Sequence, residues 1–357
     1  MRTIVYRRSL SYTSGAGQLI AMQARALRAA GIETTVACQR GAWRYWLQAR
    51  LRAQRLSAAA VESLRGTAST LVIDHGMELP QAQFVFSHNL MSEARRFLER
   101  PEMEIEAARE RRFFTALNDD AVVVANSRLV RDAIAAQFAI PDERLRVCYP
   151  GFRSEVFEHR HTEHLRAQGR RALGLHADTP LIGFVTSGDL HKRGMGIFLD
   201  TAKALRATHP KLRFLVVGSR ELPTWMRRHP LLASGTVLHR GRGSHPAKWM
   251  AALDLFLYPA RFEEFGMVVL EACALGVPVI TSRRVGAVEC LPDAFSPWIA
   301  DAPDAEVLAD LAGRLLSDGD ERARLCAAGI AAADRFNGQR YASESLAIVA
   351  SRAETAA

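Results

Sequence analysis

Residues 254–282 read "DLFLYPARFEEFGMVVLEACALGVPVITS". A short apolar run ends in Pro259-Ala260, a polar loop follows, residues 268–275 form a stretch of helical length that is apolar except for Glu271, and Gly276-Val277-Pro278 introduces a β-branched run. The order strand, loop, helix, strand is the unit from which parallel sheets are built. Glu263 and Glu264 fall in the loop before the helix, and Glu271 lies about one and a half turns into it. Gly266 allows close backbone approach, and the N–H groups of Phe265, Gly266, Met267 and Val268 favour a phosphate or sugar oxygen at the helix start. The two loop carboxylates equally suit a cap that complements the helix dipole. The residues of this stretch alone leave both readings open.

The same alternation runs outward in both directions. The chain opens with an apolar run, a small-residue loop containing Gly15, Ala16 and Gly17, a helical pattern closed by Gly31, and the strand "IETTVAC". Apolar runs recur at residues 70–73, 84–86 and 121–125, and Tyr149-Pro150-Gly151 makes a turn. A second series starts at Pro180 with "LIGFVTSG", and "LRFLVVG" follows. Strands alternating with helices imply an α/β protein whose parallel sheets are covered on both faces. Between the two series, residues 157–178 are polar and basic, as in a crossing between domains. A helical tail begins at Ala305.

With 357 residues, 48% of them hydrophobic, two domains of roughly 150 residues are expected. The boundaries read as 1–160 and 175–335, with 336–357 a C-terminal helix. Five cysteines, Cys38, Cys148, Cys273, Cys290 and Cys326, are widely spaced, which disfavours a disulfide framework or a zinc site. Met1-Arg2 leads into a short apolar run and two arginines, and no apolar stretch approaches the roughly 20 residues of a membrane span. A cytoplasmic protein is therefore expected. The net charge of +9 points to an acidic partner: nucleic acid, an anionic membrane or a phosphorylated substrate.

The quoted stretch closely resembles the signature of the retaining family 4 glycosyltransferases: a strand ending in Pro-Ser or Pro-Ala, then Glu, seven residues, Glu-Ala, and a Gly-x-Pro-Val strand. Glu263 and Glu271 fill the two Glu positions, Phe265-Gly266 the Phe-Gly, and Gly276-Val277-Pro278-Val279 the rest. The resemblance implies the GT-B fold, two Rossmann-like domains facing across a cleft, with acceptor binding in the first and nucleotide-sugar binding in the second. It implies that Glu263 bonds hydroxyls of the transferred sugar, that Glu271 bonds the ribose, and that the last helix returns to the first domain.

Further matches lie in the family's order. Lys192-Arg193-Gly194 in "SGDLHKRGMG" resembles its basic element on the donor diphosphate, although Gly188 stands where an Arg is common; lipopolysaccharide core glucosyltransferases depart in a similar way. Gly15-Ala16-Gly17 corresponds to the glycine loop after strand one. This loop is not GxGxxG, and no acid ends the second strand, so a nicotinamide dehydrogenase is disfavoured. His88 ends a predicted strand, where the family often has a His or Asp near the reacting sugar; a hydrogen-bonded surface histidine explains it equally well.

The chemistry implied is a front-face transfer in which the leaving diphosphate helps take the acceptor proton. Lys192, Arg193 and the amides of residues 266–268 would stabilise its charge. No metal and no cofactor are expected, because protein cations can serve the diphosphate and no DxD pair is placed beside a strand end. UDP-glucose is the first donor expected, and a glycolipid of the bacterial envelope, above all lipopolysaccharide core, the first acceptor, with a polysaccharide, phosphatidylinositol or a soluble phosphorylated sugar as the alternatives. The stretch "RGAWRYWLQARLRAQR", residues 40–55, has five arginines, three aromatics and no acid. It suits the anionic surface of the inner membrane, with an ordinary solvated basic helix as the alternative. "RERRFF", residues 109–114, would extend that surface. Nucleic acid is not expected, since no motif for it accompanies these patches. A catalytically silent GT-B subunit is the competing reading of another class.

Overall fold

The computed structural model describes residues 2–64, 70–98, 100–186, 188–218, 221–241, 243 and 245–355. Seven strands form the first sheet: β1 (Arg2–Tyr6), β2 (Glu33–Cys38), β3 (Ala53–Arg55), β4 (Thr70–Asp74), β5 (Phe84–Ser87), β6 (Val122–Ala125) and β7 (Leu145–Val147). Six form the second: β8 (Leu181–Val185), β9 (Arg213–Gly218), β10 (Val237–Gly241), β11 (Leu255–Leu257), β12 (Val279–Ser282) and β13 (Ile299–Ala300). Their orders are β3-β2-β1-β4-β5-β6-β7 and β10-β9-β8-β11-β12-β13. Every strand pairing within the sheets is parallel. All residues of β5, β8 and β12 are buried, the pattern of strands covered on both faces.

In both sheets the strand order reverses next to the first strand of the series, between β1 and β4 and between β8 and β11. Open parallel sheets bind ligands outside the carboxyl ends of the strands at such a reversal. The loops after β1 and β4, and those after β8 and β11, are thus the places to look for chemistry.

Contacts divide the chain into one unit of Met1–Gly151 with Asn337–Ala357 and another of Phe152–Phe336. The last helix, Gly338–Thr355, packs on Gly15–Ala29 of its own unit. Residues 157–178, read from composition as a crossing, include the helix Thr162–Leu173, which docks on the second unit. Arg170, 4% exposed, sends its guanidinium to Asp254 at 2.6 Å and to the carbonyls of Ala177 and Thr179 at 2.9 and 2.8 Å. The Arg170 charge thus belongs to an ion pair packed inside a domain, which composition cannot distinguish from a charge on a solvated linker.

Local chemistry sets the helix starts. Ser14 accepts the N–H of Gly17 at 3.1 Å, Ser127 that of Val130 at 3.2 Å, and Asp318 that of Glu321 at 2.9 Å. Asp318 of the Asp318-Gly319-Asp320 sequence is therefore a helix cap. No helix among the described residues is long and apolar enough to cross a membrane.

Candidate functional site

The loop after β8 winds tightly before the helix Met195–Thr208. Asp189 Oδ1 accepts the N–H groups of His191 and Lys192 at 2.8 and 2.9 Å, and the Asp189 carbonyl accepts that of Arg193 at 3.0 Å. Gly194 has φ +78°, and a Cβ there would lie 1.8 Å from the Pro259 carbonyl oxygen. Only glycine lets the loops after β8 and β11 come this close. The Arg261 N–H, donating to the Lys192 carbonyl at 2.9 Å, ties them together.

The β11 loop is fixed from its other side. Glu263 N–H donates to the Arg284 carbonyl at 2.9 Å, Gly286 N–H to the Glu263 carbonyl at 3.0 Å, and Ala287 N–H to the Phe265 carbonyl at 2.7 Å. Gly266, φ +90°, precedes the helix Met267–Ala274 as its N-cap, and a Cβ there would meet Glu263 Cγ at 3.0 Å. A helix start leaves its first N–H groups without intrahelical acceptors, here including those of Met267 and Val268.

This frame carries two ion pairs. Lys192 Nζ donates to both oxygens of Glu264, at 2.6 and 2.7 Å, and Arg193 pairs with Glu263. Glu263 also accepts the Tyr258 hydroxyl at 2.7 Å. Lys192 is 8% exposed, Glu263 6% and Glu264 1%. Burial pushes the Lys192 ammonium below its ordinary pKa, with Glu264 acting against it. The sequence leaves Glu264 open between a helix cap and a ligand site and both cations facing phosphate; the folded chain gives each cation a carboxylate. Two of the three Lys192 N–H groups are taken by Glu264, leaving one for a further acceptor.

Glu271 is half-buried on the helix that Gly266 caps. Burial pushes its carboxyl up to about 7, and the charge of Arg153 acts against the shift. Arg153 and Tyr258, and the pairing of Glu264 with Lys192, are not marked in the sequence. Nothing local marks them, for Lys192 and Glu264 are 72 residues apart.

In the first unit, Gly15, Ala16 and Gly17 start the helix Gly15–Ala29 after β1, and His88 follows β5. His88 Nε2 lies 2.8 Å from His75 Nδ1, and His75 Nε2 lies 2.8 Å from Gln23 Oε1. Burial, then the nearby Arg7, lowers the His88 pKa to about 3, and burial takes His75 well below the ordinary histidine range. Both rings are neutral at physiological pH. The stretch 40–55 forms the helix Ala42–Ala49 and strand β3, with Trp43, Trp46 and Leu47 exposed at 64, 51 and 50%. Its tyrosine is different: Tyr45 is buried and donates to the Gly17 carbonyl at 2.8 Å. Phe113 and Phe114 of "RERRFF" are core residues, Phe114 stacking on Phe138 with centroids 4.1 Å apart. That segment presents arginines without the aromatics expected beside them.

Residues 179–318 match the family model of "Glycosyl transferases group 1". A D-inositol 3-phosphate glycosyltransferase of Stackebrandtia nassauensis is 30% identical over 64% of this chain and 53% of its own length. The lipopolysaccharide core biosynthesis mannosyltransferase LpsB of Rhizobium meliloti is 31% identical over 46% of this chain and 48% of its own. The chain spans about half the length of the curated relatives it matches. Among solved structures, WaaG, a glycosyltransferase involved in lipopolysaccharide biosynthesis, aligns with a TM-score of 0.77 at 17% identity, covering 97% of this chain and 99% of that one. Anabaena HepE, solved in complex with UDP-glucose, aligns with a TM-score of 0.79 at 18% identity over 98% and 100%. Residues 179–318 of the second unit are thus similar to group 1 glycosyltransferases, and the two parallel sheets are those of the GT-B fold.

Proposed function

We propose that the chain transfers a hexosyl group, with retention, from a nucleotide sugar to a phosphorylated acceptor. UDP-glucose is the first donor and an envelope glycolipid, lipopolysaccharide core, the first acceptor. The observation that carries this reading is the meeting of the Lys192-Arg193 loop with the Glu263-Glu264 loop at the strand-order reversal of a segment matching group 1 glycosyltransferases. Arg193 would exchange Glu263 for a donor phosphate, and Lys192 would use its remaining N–H on the same group. Glu263, released, would chelate sugar hydroxyls while Glu271 takes the ribose. The bond from the anomeric carbon to phosphate breaks, the bond to the acceptor oxygen forms on the same face, and the acceptor proton passes to the leaving diphosphate. Lys192, Arg193 and the amides of Met267 and Val268 stabilise the charge that develops, with no metal assigned to the task. His88 would face the reacting sugar.

The charge of +9 and the exposed Trp43 and Trp46 among arginines support a lipid-borne acceptor at an anionic, cytoplasmic membrane face. Relatives named as D-inositol 3-phosphate glycosyltransferases favour a second reading, a soluble sugar phosphate. Incubation with UDP-glucose and chelator, offering core glycolipid in anionic vesicles or inositol phosphate in solution, separates the two. An α-linked glycolipid supports the first reading. Product from inositol phosphate alone supports the second, and nucleotide binding without transfer to either would favour a silent subunit.

Glu271 gives this account a pH dependence. A folded pKa of about 7 exceeds the unfolded value near 4.3, so its contribution to stability is present at low pH and is lost as pH rises through 7. Ribose binding has the opposite sign, because the ionised carboxylate is the acceptor. Nucleotide affinity should weaken up to about tenfold per pH unit below 7, read by titration, and Glu271→Gln should flatten the profile.

A further inference from the structure

We propose that His75 and Gln23 are positioning residues that hold His88 in one neutral tautomer, protonated at Nε2, with Nδ1 left as a hydrogen-bond acceptor. The three side chains come from separate elements: Gln23 from the helix Gly15–Ala29, His75 from the residue after β4, and His88 from the residue after β5. Their polar atoms form an unbroken line with two spacings of 2.8 Å. The Gln23 carbonyl oxygen faces His75 Nε2, which must then carry the proton. His75 Nδ1 is bare and can only accept, so His88 must donate from Nε2. A bare His88 Nδ1 follows.

The surroundings restrict this line to a single geometry. Asp74 accepts the N–H groups of Gly76, Glu78 and Leu79 at 2.8, 2.6 and 2.8 Å, fixing the turn that presents His75. His75 donates its backbone N–H to the Tyr6 carbonyl at 2.9 Å and receives Arg7 Nη1 on its own carbonyl at 2.7 Å. Its ring stacks on Phe86, centroids 4.9 Å apart, and the two imidazole planes differ by 16°. Gln23 is fully buried, and its amide nitrogen has no hydrogen-bond partner. An amide half satisfied in the core is costly, and a leucine would fill the space without that loss. What the glutamine adds is its carbonyl oxygen.

The role of the bare Nδ1, to accept from a substrate hydroxyl, rests on the reading of His88 in the proposed transfer. The test separates the two. In the full chain labelled with 15N-histidine, the His88 resonances are identified by their loss in His88→Asn. The wild type should show Nδ1 bare and Nε2 protonated, with slow exchange of that proton. His75→Phe retains the stacking but removes the acceptor, and Gln23→Leu removes the far end; each should let His88 populate both tautomers. His75→Asn, which keeps a carbonyl acceptor near the same place, should restore the wild-type spectrum. A bare Nε2 in the wild type, or a His88 spectrum unchanged by both His75→Phe and Gln23→Leu, overturns the proposal. With UDP-glucose as donor, kcat should fall roughly tenfold in His75→Phe at unchanged KM and recover in His75→Asn. Full kcat with mixed tautomers would overturn the positioning role. A wild type without turnover but with the expected spectrum would instead count against the transferase reading.

Discussion

Glu263→Gln is expected to abolish most transfer while sparing the nucleotide. Two charged hydrogen bonds to sugar hydroxyls contribute about 1.5–3 kcal/mol each, and about 1.4 kcal/mol is a decade in rate, so a loss on the order of 100-fold or more is expected in kcat/KM. The amide is isosteric and can still accept the Tyr258 hydroxyl, so the loop pinned to residues 284–287 should remain in place. Free UDP should bind as well as before or more tightly, because Arg193 no longer has a carboxylate to leave. Equal losses of UDP affinity in Glu263→Gln and Glu271→Ala would contradict the assignment of Glu263 to the sugar.

The second large effect concerns stability. Lys192→Ala leaves the Glu264 carboxylate, 1% exposed, without its cation. Removing one partner of a buried pair costs about 3–5 kcal/mol, whereas replacing both with apolar groups of similar shape is often neutral. Denaturant unfolding should therefore show a marked loss in Lys192→Ala and near wild-type stability in Lys192→Met with Glu264→Leu. Both proteins should bind UDP weakly, since each lacks the remaining N–H of Lys192. That combination separates the structural work of the pair from its work on the donor. A stable Lys192→Ala protein would show that Glu264 is held by other groups.

Why so much of the fold was legible in the sequence follows from the kind of signal each part gives. The parallel sheets announce themselves through short apolar runs separated by helical patterns, and the Gly266 turn through a glycine before an apolar helix. Glu263 and Glu271 are legible because the loop and helix that carry them are contiguous. Glu264 is not, because its meaning depends on Lys192 in a different loop, and loops meet only when β8 and β11 lie side by side in the sheet. Arg170 shows the same limit, since its charge suggests solvent until Asp254 is beside it. His75 drew no attention either, as nothing along the chain relates it to Gln23, 52 residues away. The aromatic and basic stretches divide differently: Trp43 and Trp46 lie outside, while Tyr45, Phe113 and Phe114 turn inward. Composition counts side chains, but the helix face decides which of them a partner can meet.

The proposed transfer requires that the paired loops after β8 and β11 form a donor site. Calorimetric titration of the full chain with UDP, GDP and ADP in the presence of chelator tests it most directly, with Arg193→Ala as the paired variant. Saturable binding of one nucleotide family, UDP first, is expected, weakening roughly tenfold in Arg193→Ala as one charged phosphate contact is lost. No binding of any of the three, or binding indifferent to Arg193, would contradict it.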